Sequence, residues 1–130
     1  MSFGFSVGDV VTLSTFAYKI YHACKASSSD FESIASEVQS LHVVLHETTQ
    51  HLTKNSMDNK GAEQLEHLRE DCYGILSEIE KQLKKYGSLG TRKQRFLHKM
   101  GWALNDVSSI RGRLVLYVSM FTALNTNLIK

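Results

Sequence analysis

Apolar side chains recur at intervals of three and four residues along most of this chain, and no proline interrupts them. That spacing places side chains on one face of an α-helix, whereas a proline would break a helix interior. One run at heptad spacing contains Phe31, Ile34, Val38, Leu41, Leu45 and Leu52. A second run contains Leu65, Leu68, Cys72, Ile75, Ile79, Leu83 and Tyr86. The chain is therefore expected to be all-α.

Start and stop signals divide the chain into four amphipathic helices, at roughly 6–25, 29–54, 62–86 and 91–128. Ser6-x-x-Asp9 and Ser29-x-x-Glu32 have the form of capping boxes, in which side chains satisfy the free amides of a helix start. Short connections between long helices favour antiparallel neighbours. We therefore expect one domain over 1–130, an antiparallel up-down four-helix bundle with a short flexible Gly/Phe N-terminal arm.

Composition and motifs argue against several classes of function. A net charge of +2 provides no global field for nucleic acid, and nucleic acid is not expected as a partner. There is no run of 18 apolar residues that would form a constitutive membrane span. P-loop and dinucleotide-binding motifs are absent from the sequence. Gly4-Phe-Ser-Val-Gly8 has the form Gly-x-Ser-x-Gly, but it is not expected to be a nucleophile elbow, because it precedes the first predicted helix and no strand leads into it. We expect no enzyme, no catalytic residue and no cofactor.

The histidines raise the question of a metal site. His42 and His46 are four residues apart, with Glu47 and His51 following, and this spacing can bring two imidazoles to one metal. No His-Glu-x-x-His motif or cysteine pair accompanies them. A hydrated helix surface is the simpler interpretation, and no metal is expected.

The N-terminal segment is rich in phenylalanine and glycine, and Asp9 is the one charged side chain in its first 18 residues. Its apolar residues can pack into the open end of the bundle. Alternatively they can leave it and insert into a membrane interface, and a switch would use both states. The candidate membrane-inserting residues are Phe3, Phe5, Val7, Val10, Val11, Leu13 and Phe16.

A basic stretch lies between Lys81 and Asn105, with seven cations and no acid. Lysines at a helix C-terminus are favourable there, but cations at a helix start oppose the helix dipole. The stretch is either solvated surface or a contact for anionic lipid or a partner. Its residues are Lys81, Lys84, Lys85, Arg92, Lys93, Arg95 and Lys99.

The last predicted helix carries no charged residue from Leu114 to Ile129. A helix that is apolar nearly all round is either central in a bundle or covered by a partner. The candidate oligomer or partner face contains Leu116, Met120 and Leu124.

The order of several short motifs resembles a known family. They are Ser2-Phe-Gly-Phe-Ser-Val-Gly-Asp9, Ser36-Glu-Val-Gln-Ser-Leu-His-Val-Val-Leu-His-Glu47, Tyr86-Gly-Ser-Leu-Gly90, Trp102-x-Leu104-x-Asp106, Arg111-x-Arg113-Leu114 and Asn125-x-x-Leu128. Together they resemble the fungal N-terminal domain of STAND (NOD-like receptor) proteins, a HeLo-like domain.

The resemblance implies the N-terminal head of a longer multidomain receptor in fungal innate immunity or heterokaryon incompatibility, with NACHT or NB-ARC and repeat domains downstream in cis. It further implies a cytoplasmic homo-oligomer that moves to the plasma membrane on activation. There it would engage membrane lipids, anionic ones above all, and execute regulated cell death, with the segment from Phe3 to Tyr21 as the toxic element. The alternative is a helical protein-interaction and oligomerisation module without membrane activity.

Overall fold

The computed structural model describes residues 7–27, 29–54, 58–87 and 104–129, which form four α-helices. In chain order they are α1 Val7–Lys25, α2 Ser29–Lys54, α3 Asn59–Gly87 and α4 Leu104–Ile129. Their mutual packing confirms the four-helix bundle. The expected N-terminal arm and the expected start of the last helix near residue 91 lie outside the described residues.

The start of α3 differs from the prediction by three residues. Asp58 Oδ1 accepts a hydrogen bond from the Gly61 amide at 2.7 Å, and the Asp58 carbonyl accepts one from the Ala62 amide at 2.9 Å. An aspartate in this position satisfies amides that would otherwise be free. The cap therefore starts the helix at Asn59, ahead of Gly61, although glycine is a weak helix former.

Four helix pairs pack against each other, namely α1–α2, α2–α4, α1–α3 and α3–α4. The most extensive packing is between α1 and α2. Although α2 and α3 follow each other in the chain, they are not among these pairs. The cyclic order in space is therefore α1, α2, α4, α3. The short connections predicted that α2 and α3 would be neighbours, and this pair is the one that differs.

Cross-helix contacts give the helix directions, because paired residue numbers rise together only when two helices are parallel. By this criterion α2 and α4 are parallel, as are α1 and α3, while α3 and α4 are antiparallel. The contacts are Glu37–Arg111 and Thr48–Asn125 for the first pair, Phe16–Tyr73 and Lys19–Glu80 for the second, and Glu78–Arg113 with the facing residues Asp71 and Met120 for the third.

The core contains the apolar stripes that the sequence predicts on α1, α2 and α3. Buried residues of these helices are Val10, Leu13, Ala17, Ile20, Cys24, Phe31, Ile34, Val38, Leu41, Leu45, Leu65, Leu68, Cys72, Ile75 and Ile79. From α4 the core receives Val107, Ile110, Leu114, Tyr117, Phe121, Leu124 and Leu128. One of these, Leu124, corrects the predicted partner face, because its side chain is only 6% exposed.

Candidate functional site

The outer side of α4 exposes large apolar side chains. Val115 and Leu116 are each 53% exposed and Met120 is 43% exposed; we call these three residues the α4 surface. They lie on the uncharged stretch of the helix, where the sequence analysis placed Leu116 and Met120. Leu116 and Met120 are four residues apart and are therefore neighbours on the helix surface. An exposed apolar patch on a small domain is typical of an interaction site.

A buried polar contact sets the position of α4 against α2. The single hydroxyl hydrogen of Thr48 has two acceptors within reach of Oγ1, Asn125 Oδ1 at 2.7 Å and the Val44 carbonyl at 2.9 Å. Asn125 Nδ2 also reaches the Val44 carbonyl, at 3.4 Å. Buried polar groups need such partners, so sliding or rotating α4 would leave the Asn125 side chain without its partners on α2. The contact therefore fixes which residues of α4 face outwards.

Two arginines hold the first half of α4. Arg111 donates from Nε and Nη2 to Glu37 Oε1 on α2, at 3.2 and 3.0 Å. Arg113 Nη1 lies 3.8 Å from Glu78 Oε1 on α3. Partial burial raises the pKa of Glu37, but hydrogen bonds from Ser36 and Arg111 outweigh burial and leave that pKa below its ordinary value.

A groove between α3 and α4 lies beside the α4 surface, and we call it the α3–α4 groove. Its cavity volume is about 330 Å³. Such a volume, between helices of a bundle, is at the lower end of the range for ligand-binding pockets. Leu68 and Leu124 are the buried residues of its lining. The complete lining is Gln64, His67, Leu68, Asp71, Met120, Ala123, Leu124 and Asn127.

A second groove, of about 270 Å³, lies on the other flank of α4, against α2. It is lined by Ser36, Glu37, Ser40, Val115, Val118 and Ser119. The α4 surface is thus a ridge between two grooves. Ridges and grooves are the features through which helices pack against each other.

The candidate membrane-inserting residues of α1 are divided between core and surface. Val10 and Leu13 are buried, whereas Val11 is exposed. Val7 and Phe16 are half-buried. Phe3 and Phe5 lie outside the described residues. Insertion of α1 would therefore require its inner face to leave the core.

Polar contacts connect α1 to α2. His42 Nδ1 lies 3.0 Å from the Ser14 carbonyl. The Ser14 hydroxyl lies 3.2 Å from the same nitrogen, so Nδ1 either donates to the carbonyl or accepts from the hydroxyl, depending on the tautomer of His42. The His42 ring also packs against Tyr18, with 5.2 Å between centroids, and stacks with His46 at 6.5 Å. In the described parts of the chain, no group of three or more His, Cys, Asp or Glu side chains could hold a metal ion.

Charged residues connect α1 to α3. Lys19 Nζ lies 3.6 Å from Glu80 Oε2. A hydrogen bond to Glu66 raises the pKa of Arg69, and the charge of Asp9 adds to this shift. Asp9, which the sequence analysis placed in the candidate inserting segment, thus lies within electrostatic reach of a cation on α3.

The described part of the basic stretch lies on the last turns of α3. Lys81, Lys84 and Lys85 are exposed, and Lys84 Nζ is 4.0 Å from Glu80. Arg92, Lys93, Arg95 and Lys99 lie outside the described residues. The structure does not bring the lysines together with the α4 surface, whose Met120 instead faces the first half of α3 across the groove.

Over the described residues, none of the helices combines the length and apolarity needed to cross a membrane. Comparison with known proteins gave no match to a family model, to a curated protein or to a solved structure.

Proposed function

We propose that this chain is the interaction head of a signalling protein, and that it associates with other helical heads through the α4 surface. The observation that supports this most is the exposure of Val115, Leu116 and Met120 on a stretch of helix without charge. Burying a large apolar side chain contributes about 1.5–3 kcal/mol. Half-exposed residues offer a part of that to a partner without any rearrangement of the bundle.

The signalling context comes from the order of motifs that resembles the heads of STAND receptors. We place the chain in the cytoplasm, at the start of a receptor with nucleotide-binding and repeat modules in cis. Oligomerisation of those modules would raise the local concentration of the heads. Linked binding sites gain affinity through effective concentration, so a weak head-to-head contact would suffice.

Sedimentation velocity over a range of concentrations tests this proposal. The test variant is Leu116→Glu/Met120→Glu, and the matched control is Val43→Glu, since Val43 is 49% exposed on α2. We expect wild type and control to self-associate and the test variant to remain monomeric. Equal self-association of all three proteins would refute a role for the α4 surface.

A second candidate function is membrane action by α1, after oligomerisation and movement to the plasma membrane. What supports it is the make-up of α1: its inner face carries Val10 and Leu13, while Lys19 pairs with Glu80 of α3 and Asp9 acts on the charge of Arg69. Exposed lysines at the far end of α3 would add about 1 kcal/mol each at an anionic surface. The helix would have to leave the bundle to insert.

Cross-linking of α1 to α3 tests this second candidate. A carbodiimide can join Lys19 to Glu80 as an amide, because the two groups lie 3.6 Å apart. We expect untreated protein to release dye from anionic vesicles, and cross-linked protein to release none. The Lys19→Arg variant keeps the charge and cannot form this amide, so after treatment it should still be active. Leakage by fully cross-linked wild type would exclude release of α1.

A further inference from the structure

The two walls of the α3–α4 groove differ in charge. The α4 wall is uncharged, because it belongs to the stretch from Leu114 to Ile129. On the α3 wall Asp71 lines the groove, and Glu63 and Glu70 lie on the neighbouring exposed stripe. Lys60 is a cation near the start of α3, and Arg69 is bound to Glu66. An apolar cavity beside an acidic flank fits a partner segment that combines an apolar side chain with cations.

The chain itself contains such a segment. Residues 91–100 read Thr-Arg-Lys-Gln-Arg-Phe-Leu-His-Lys-Met, with four cations, three large apolar residues and no acid. Potentials that complement each other in this way guide association and fix its register.

The apolar centre of this segment does not reach the middle of the groove of its own bundle. It is joined to α3 at Gly87 and to α4 at Leu104, so Phe96 is at most eight residues from Leu104. Eight fully extended residues span about 27 Å. Leu124, in the middle of the groove, is about 30 Å from Leu104 along the axis of α4. Even a fully stretched chain would therefore not bring Phe96 to the middle of the groove.

We propose that the α3–α4 groove of one copy receives residues 92–99 of a second copy. This inference rests on the proposed function, since the groove adjoins the α4 surface and shares Met120 with it. Donor segment and acceptor groove are different surfaces, so the contact is heterologous. Such contacts close into rings, of which a dimer with reciprocal exchange is the smallest, or continue as open chains.

Charge reversal tests the pairing. The groove variant is Glu63→Lys/Asp71→Lys, and the segment variant is Arg92→Glu/Arg95→Glu. Each should self-associate at least about tenfold more weakly than wild type, because like charges then face each other. An equimolar mixture should associate again, because the basic segment of the groove variant meets the acidic groove of the segment variant. The control, Glu47→Lys, reverses the charge of an exposed acid of α2 away from the groove and should behave as wild type.

Sedimentation velocity at about 0.1 M and 1 M salt supplies the readout, since screening lengths fall from about 10 Å to 3 Å. Thermal unfolding by circular dichroism verifies that each variant is folded. Wild type that stays monomeric at low salt, or a mixture that fails to associate, overturns the inference. If Leu116→Glu/Met120→Glu abolishes association while both charge variants associate normally, this inference fails and the proposed function stands.

Discussion

α1 and α4 carry the same number of charged residues but present very different surfaces. Each has three Asp, Lys or Arg side chains. In α1 they are spread from Asp9 to Lys25, whereas in α4 they all precede Leu114. As a result the outer side of α1 mixes threonine, lysine and histidine with its apolar residues, while the second half of α4 exposes an uninterrupted uncharged surface.

The difference shows that the apolar content of a helix does not reveal which of its residues can meet a partner. In α1 the apolar residues at helical spacing are buried, chiefly by packing against α2. In α4 there are more apolar residues than the inner face can bury, so Val115, Leu116 and Met120 remain outside. The available surface is what the bundle leaves uncovered.

The largest expected effect separates the two sides of α4. Phe121 is fully buried and Leu116 is 53% exposed. Phe121→Ala should lower the free energy of unfolding by about 3–5 kcal/mol, because it leaves a cavity. Leu116→Ala should change it by less than about 0.5 kcal/mol. Urea unfolding at pH 7 measures both, and similar losses in the two variants would contradict the assigned orientation of α4.

Removing the polar contact that positions α4 should cause a smaller loss in the free energy of unfolding. Asn125→Ala removes a partner of Thr48 and of the Val44 carbonyl, which should cost about 1–3 kcal/mol. The double variant Thr48→Val/Asn125→Leu replaces both polar side chains with apolar ones and should lose less than the single variant. A double variant that is less stable than Asn125→Ala would show that the contact contributes stability rather than position.

The ion pair at the start of α4 should give a modest pH dependence. The pKa of Glu37 is lowered in the folded state. Its contribution to the free energy of unfolding is therefore complete at pH values above the ordinary glutamate pKa. It is lost as the pH falls through the folded pKa. Because Arg111 is half exposed, we expect less than about 1 kcal/mol. In urea unfolding from pH 7 to pH 3, the stability difference between wild type and Glu37→Gln should shrink; a constant difference would argue against this pair.

The subtlest test follows a single thiol of α1. Burial raises the pKa of Cys24 to about 12 and also raises the pKa of Cys72. Alkylation of Cys24 in the bundle should be at least about a hundredfold slower than in urea, because the thiol reacts only after local opening. If α1 leaves the bundle on anionic vesicles, mass spectrometry should show faster alkylation of Cys24. Dye leakage without that increase would contradict the release of α1.

Much of the bundle could be predicted from sequence because its helices have a clear apolar period. The stripes ending at Cys24 and Leu45 are unambiguous, and the structure buries them. α4 is different: apolar residues occur on nearly every side, so periodicity does not fix its rotation. This is why Leu124 was assigned to the wrong face. The Asp58 cap was also missed, since Gly61 obscures the helix start.

The candidate site was less predictable than the core. Leu116 and Met120 could be placed opposite the core by counting residues. The grooves beside them require knowing that α4 packs between α2 and α3, and no local signal shows this. The hydrogen bond between Thr48 and Asn125 joins residues 77 positions apart. A contact of that kind exists only once the helices have been arranged.

The spatial order of the helices has a mechanical consequence. Because α4 touches both α2 and α3, the three would remain a connected layer if α1 were absent. The polar contacts between the helices of that layer do not involve α1. They are Thr48–Asn125, Glu37–Arg111 and Glu78–Arg113. Loss of the first helix would therefore break its interfaces with α2 and α3 but leave the α2–α4 and α3–α4 interfaces in place. The opened layer would keep the α4 ridge on one side and present the bundle's own core residues on the other.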